Sequence, residues 1–287
     1  MTMNRWLVGA RLRTLPAAIV PVAVGTAVAV GRVDIIWWRA LAAGIVALAL
    51  QVATNYQNDY SDGVRGTDDH RVGPVRLVAS GLATPSAVRL AVLFVGLIAG
   101  LGGLALAIAV GPELLIVGVA SMAAGYFYTG GPRPYGYAGL GEVFVFIFFG
   151  LVATVGSAYI QTEQISILAV GASVPVGFLA TSLLVINNLR DLPTDTASGK
   201  TTLAVRWGDA TTRTLYIALI VGAFVAIPFL ALARPFSLLA LFAIPLAVKP
   251  ISQVSKQAVR ESLIATLADT GRLQLVYGLL LTLGFAL

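Results

Sequence analysis

Two polar runs close otherwise apolar segments of the 287-residue chain. The first reads Asn55-Tyr-Gln-Asn58-Asp59-Tyr-Ser-Asp62 and the second Asn187-Asn188-Leu-Arg190-Asp191-Leu-Pro-Thr-Asp195. Together with Asp68 and Asp69 they hold six of the 13 acidic residues. Carboxylates beside a bilayer are costly and are kept where they serve a site. Oxygen donors without His or Cys suit a hard cation. Mg²⁺ typically takes one or two carboxylates and leaves its other positions to water and substrate phosphates. Two such clusters could hold a diphosphate between them, with Arg65, Arg71, Arg76, Arg190, Lys200 and Arg206 neutralising the phosphate oxygens that the metals leave uncovered. The competing use of the same carboxylates is to pair with these arginines and order two loops.

The elements that would position these groups follow from spacing. At about 100° per residue, Gln51, Asn55, Asn58, Asp59 and Asp62 share one helix face, and Asn187, Asn188 and Asp191 share another. Pro193 disfavours a helical Leu192, so Asp195 is expected on a loop. The connections at about 59–85 and 188–211 read as two long loops, of the kind that often act as lids or binding loops. The pair Asp68 and Asp69, and the lone His70, read as solvated surface residues. Tyr56, Tyr60, Tyr126, Phe127 and Tyr128 lie close in sequence to the acidic runs or end an apolar span. Their π faces could shield a carbocation, Tyr128 first among them, or they could mark the membrane interface. Gly130-Gly131-Pro132-Arg133-Pro134 is a rigid turn presenting Arg133. Glu142, early in an apolar helix, should face the bundle interior or stay protonated, serving either substrate or packing.

Composition sets the solvent. The chain is 58% hydrophobic and only 11% charged, against roughly 25% charged in soluble domains. It reads as one all-α integral membrane domain over residues 1–287. No cysteine is present, which excludes disulfides and thiolate sites, and one histidine argues against a multi-histidine metal centre. The net charge of +6 is spread through membrane-flanking loops rather than forming a nucleic-acid surface.

Apolar runs give nine transmembrane spans, at about 14–31, 36–58, 86–109, 113–129, 138–158, 166–187, 212–233, 236–250 and 266–287. With a cytoplasmic N-terminus, all of the 19 basic residues except Arg32, Arg39 and Arg234 fall on the cytoplasmic side, the bias that sets membrane orientation. Both acidic runs then face the cytoplasm of a cell-membrane protein. A cation or phosphate transporter would also place Asp and Asn in a helix bundle, but near mid-membrane rather than at one face.

Asn58-Asp59-x-x-Asp62 after one apolar helix and Asn188-x-x-Asp191-x-x-x-Asp195 after another resemble the paired aspartate motifs of the UbiA superfamily of intramembrane prenyltransferases, a nine-helix family. Gly73-Pro-Val-Arg76-Leu-Val-Ala-Ser-Gly81, Tyr128-Thr-Gly-Gly-Pro132, Gly139-Leu-Gly-Glu142 and Asp195-Thr-Ala-Ser-Gly199-Lys200 are similar to its 1,4-dihydroxy-2-naphthoate prenyltransferases. The resemblance implies that Asn58, Asp59 and Asp62 hold one Mg²⁺ and Asp191 and Asp195 the other. It also implies that Lys200, Arg133 and Tyr128 contact diphosphate, and Asn55, Asn188, Arg65 and Arg76 are expected as further substrate contacts. The implied reaction joins a polyprenyl diphosphate to 1,4-dihydroxy-2-naphthoate with loss of CO₂. Other aromatic acceptors, such as 4-hydroxybenzoate, remain alternatives. The chain departs from the pattern at Gly66, where related enzymes often carry an acid; Asp68 follows.

Overall fold

The computed structural model describes residues 4–67, 75–256 and 262–287, and every regular element among them is helical. Asp68, Asp69, His70 and Arg71 lie outside the described residues. A short helix α1 (Arg5–Ala10) leads into α2 (Pro16–Ala29). Then come α3 (Trp37–Arg65), α4 (Pro85–Ala109) and α5 (Glu113–Thr129). Helix α6 (Gly141–Val145) runs without a break through a π-helical stretch, Phe146–Val152, into α7 (Ala153–Thr162). Helices α8 (Ile167–Ala197), α9 (Leu203–Val225) and α10 (Ile227–Ala231) follow. A 3₁₀ segment, Pro235–Ala243, precedes α11 (Ile244–Ser255), and α12 (Ser262–Ala286) ends the chain.

Local chemistry explains the starts. Pro16 and Pro85 occupy first-turn positions, where no N–H is needed. The Thr84 and Ser166 hydroxyls accept from the Ala87 and Ala169 amides, at 3.3 and 3.1 Å, to cap α4 and α8. Gly208, at φ +78°, puts a kink in α9.

Helix α8 is the axis of the fold. In its most apolar window 72% of residues are buried, against 11% for α3, and it packs on α2, α7, α9 and α12 and on the π stretch. Gly150 of that stretch meets Gly177 of α8 so closely that a Cβ on Gly150 would lie 2.6 Å from the Gly177 Cα. No other residue allows this approach. The outward faces carry large apolar side chains, among them Trp37, Leu41, Phe94, Ile108, Ile116 and Phe242, as lipid rather than water requires.

Among the described residues, six helical segments are long and apolar enough to cross a membrane, or seven if the pair Arg5–Thr14 and Pro16–Ala29, bent by 52°, is one span. That is fewer than the nine expected. The shortfall lies in α5, which has 17 residues, and in α12, which carries Asp269, Arg272 and Gln274.

Two expectations are corrected. Helix α8 continues through Pro193 to Ala197, so Asp195 is helical and buried. The last turn is held by side chains that back-bond to it: the Thr194 hydroxyl donates to the Asp191 carbonyl at 2.8 Å and Thr196 to Leu192 at 2.8 Å. The connection after α8 is therefore short, and α3 likewise runs to Arg65 before Gly66 closes it in the left-handed region.

Candidate active site

The two acidic helix ends converge on one cavity of about 1050 Å³, larger than most small-molecule pockets. At its polar end the wall includes Asn55, Asn58 and Asp62 from α3 and Asn187, Asn188, Asp191 and Asp195 from α8, with Arg11, Arg76, Arg190 and Lys200 among them. Its aromatic side is formed by Tyr128, Tyr135, Tyr137, Phe144 and Phe148. Tyr135 stacks on Phe144 at 3.9 Å and meets Tyr128 edge-on at 5.5 Å. Beyond this the cavity becomes apolar and reaches Gly103, Gly118 and Gly156, each within about two turns of the helix end opposite the carboxylates. A Cβ at any of these three would meet nothing within 4 Å.

Each of the acids Asp59, Asp62 and Asp191 has a cationic partner. Asp59 is fully buried; its Oδ1 accepts from Arg11 and, at 2.7 Å, from Arg76, and its Oδ2 accepts from the Leu77 amide at 3.1 Å. Asp62 accepts from the Tyr137 hydroxyl at 2.5 Å and from Lys200 Nζ at 3.2 Å. Arg190 forks onto its neighbour Asp191 with two bonds of 2.8 Å. The loop carrying Lys200 is held by backbone: the Lys200 amide donates to the Asp195 carbonyl at 2.9 Å, and the Thr201 amide to the Tyr137 carbonyl at 2.9 Å. This zipper sets Lys200 Nζ 4.6 Å over the Tyr137 ring. Burial, and then the neighbouring Asp62 carboxylate, hold the Tyr137 phenol above its usual range, so it stays a donor.

The expected site residues separate into two groups. Asn55, Asn58, Asp62, Arg76, Tyr128, Asn188, Asp191, Asp195 and Lys200 share the cavity wall. Asp59 stands behind it, bound to Arg11, Arg76 and the Leu77 amide. Arg65 is exposed and donates to the Thr129 and Gly131 carbonyls. Arg133 is exposed and absent from the wall. Tyr56 donates to the Trp6 carbonyl at 2.9 Å, and Tyr126 and Phe127 face outward. Tyr137 and Arg11 are the contributors that sequence reasoning missed: neither belongs to a motif, and each reaches its aspartate across a long stretch of chain.

The donor set fits a hard divalent cation. Asn58, Asp62, Asp191 and Asp195 offer oxygen only, on two facing helices. Among the described residues no three His, Cys, Asp or Glu side chains converge as a ready metal cage, so the protein's own share of the ligands would be one or two carboxylates per ion.

An all-helical bundle with oxygen donors, cations and an apolar channel in one cavity can take a molecule with a charged head and an apolar tail. The model of the UbiA prenyltransferase family matches residues 18–272, and the chain belongs to that family. It is similar to the 1,4-dihydroxy-2-naphthoate octaprenyltransferase of Mycobacterium tuberculosis, at 48% identity over 96% of this chain and 94% of that protein. It is also similar to the Escherichia coli protein of the same name, at 37% identity over 98% and 95%. A UbiA homolog from Archaeoglobus fulgidus, solved bound to DMAPP and Mg²⁺, shares the fold at a TM-score of 0.65 and 14% identity, covering 97% of this chain and 99% of that one.

Proposed function

We propose that this chain transfers a polyprenyl group from an allylic diphosphate to 1,4-dihydroxy-2-naphthoate with decarboxylation, giving demethylmenaquinol for menaquinone synthesis. The observation that carries the reading is the single cavity joining a carboxylate and cation cluster to an aromatic wall and an apolar channel. Near-full-length identity to proteins of that name supports the acceptor.

Asn58 and Asp62 on α3, and Asp191 and Asp195 on α8, would hold Mg²⁺. The bound metal supplies charge stabilisation for the departing diphosphate. Lys200, Arg76, Arg11 and Arg190 line the same end, ready to bind phosphate oxygens. Asp59 holds two of these guanidiniums in place from behind. The allylic C–O bond breaks to diphosphate and a carbocation, which the faces of Tyr128, Tyr135 and Phe144 shield. The ring carbon bearing the carboxylate forms the new C–C bond, and the C–CO₂ bond breaks with its electrons returning to the ring. The balance requires no protein base. The tail lies along the apolar channel past Gly103, Gly118 and Gly156.

The bundle spans the cell membrane nine times when α5 and α12 are counted, with the N-terminus and the carboxylate end on the cytoplasmic side, where the basic residues collect. The test is to incubate the purified protein in detergent with polyprenyl diphosphate, carboxyl-labelled 1,4-dihydroxy-2-naphthoate, and Mg²⁺ or a chelator. Mg²⁺-dependent release of labelled CO₂ with an apolar product is expected. Prenylation of 4-hydroxybenzoate instead would overturn the acceptor and leave the diphosphate site standing.

A further inference from the structure

Glu142 is an acid beside the cavity that neither the metal nor the diphosphate reading uses. It is 6% exposed at the start of α6, and its Oε1 accepts from the Asn188 side-chain amide at 2.9 Å. Its Oε2 is buried with no hydrogen-bond partner. The Tyr128 hydroxyl lies alongside, 3.6 Å from where a Cβ on Gly141 would stand. Asn188 and Tyr128 both line the cavity, while Glu142 lies behind them.

An asparagine amide has a donor end and an acceptor end. In the structure the NH₂ end faces Glu142, and that bond fixes which way the amide points. The carbonyl oxygen, Oδ1, is then the end left for the cavity. A carbonyl repels phosphate oxygens, which are acceptors like itself. It therefore faces a cation or a hydrogen-bond donor; the metal is given to Asn58, Asp62, Asp191 and Asp195, and the donor that this reaction brings is a ring hydroxyl of the acceptor.

We infer that Glu142 is a positioning residue that locks the Asn188 amide so that Asn188 Oδ1 accepts the hydroxyl next to the attacking ring carbon. Accepting that proton pushes electron density into the ring at the carbon that captures the carbocation. The site thereby selects hydroxylated rings, since a polar group built to bind a hydroxyl rejects analogues that lack it. The inference rests on the proposed reaction and assigns Asn188 to the acceptor rather than to the diphosphate.

The test compares Glu142→Leu and Glu142→Gln by their KM for acceptor, their KM for polyprenyl diphosphate and their half-saturating Mg²⁺. Glutamine keeps an oxygen that accepts the Asn188 bond but adds an NH₂ end that can meet the Asn188 carbonyl, so it holds the amide in part, whereas leucine frees it to rotate. Leucine is expected to raise the acceptor KM by about tenfold or more, the scale of one buried hydrogen bond, and to leave the other two constants within about twofold. Glutamine is expected to rescue in part, with an acceptor KM between those of wild type and Glu142→Leu. An unchanged acceptor KM in Glu142→Leu, a shift in Mg²⁺ requirement instead, or no rescue by glutamine would each overturn the inference. A second measurement uses the wild-type enzyme alone: the acceptor methylated at that hydroxyl should bind about tenfold more weakly, and equal binding refutes the role. Absence of wild-type CO₂ release would instead defeat the proposed reaction before any variant is compared.

Discussion

Tyr137→Phe isolates one atom of the site. The hydroxyl it removes donates to Asp62 at 2.5 Å, while the ring that covers Lys200 at 4.6 Å remains. A hydrogen bond to a charged group contributes about 1.5–3 kcal/mol. At about 1.4 kcal/mol per tenfold, its loss should lower kcat/KM for the polyprenyl diphosphate by about 10- to 150-fold. The CO₂-release assay at subsaturating diphosphate reads this directly, with the thermal midpoint in detergent followed alongside. Because Tyr137 is held protonated above its usual value of 10.0, the variant should lower the pH–rate profile without altering its shape up to that pH. The reasoning fails if Tyr137→Phe stays within about twofold of wild type, or if the loss falls wholly on the acceptor KM.

Three further outcomes are expected. Asp191→Ala and Asp62→Ala should each cost at least about 100- to 1000-fold in turnover while membrane insertion persists; an active variant at either position would remove the metal-cradle argument. Asp59→Asn leaves the Arg11 and Arg76 guanidiniums without their shared anion and should destabilise by about 3–5 kcal/mol, so its thermal midpoint should fall well below that of Asp62→Asn; equal midpoints would return Asp59 to the role of a plain metal ligand. Gly118→Leu or Gly156→Leu should fill the far channel and shift preference toward shorter prenyl diphosphates, which competition between chain lengths would measure; unchanged preference would move the tail elsewhere.

Hydropathy alone located the helical segments well, because a run of apolar residues long enough to cross lipid leaves few other options. It missed where α3 and α8 end, since it marks where a chain leaves the lipid and not where its hydrogen-bond ladder stops. Asp195 was misplaced for a related reason: the proline rule describes local preference, and α8 runs on through Pro193 to Ala197. The convergence of the two acidic runs was legible from their types and spacing. The division of labour between Asp59 and Asp62 was not, although the two are a single helical turn apart. It depends on Arg11, Arg76 and Tyr137 arriving from other elements, which no pattern within α3 records.

The π-helical stretch at Phe146–Val152 gives one membrane segment two phases. In a regular α-helix the direction of Glu142 would dictate that of Gly156, several turns on. Bonds running i→i+5 slip that phase, so the end that grips Asn188 and the end that borders the tail are aimed separately. Deleting one residue from the stretch would shorten the segment hardly at all, yet would turn Gly156 and Ser157 by about 100° relative to Glu142. The stretch acts as a universal joint. A substitution that restored regular α-helical bonding there would re-aim one end of the segment and leave the other where it is.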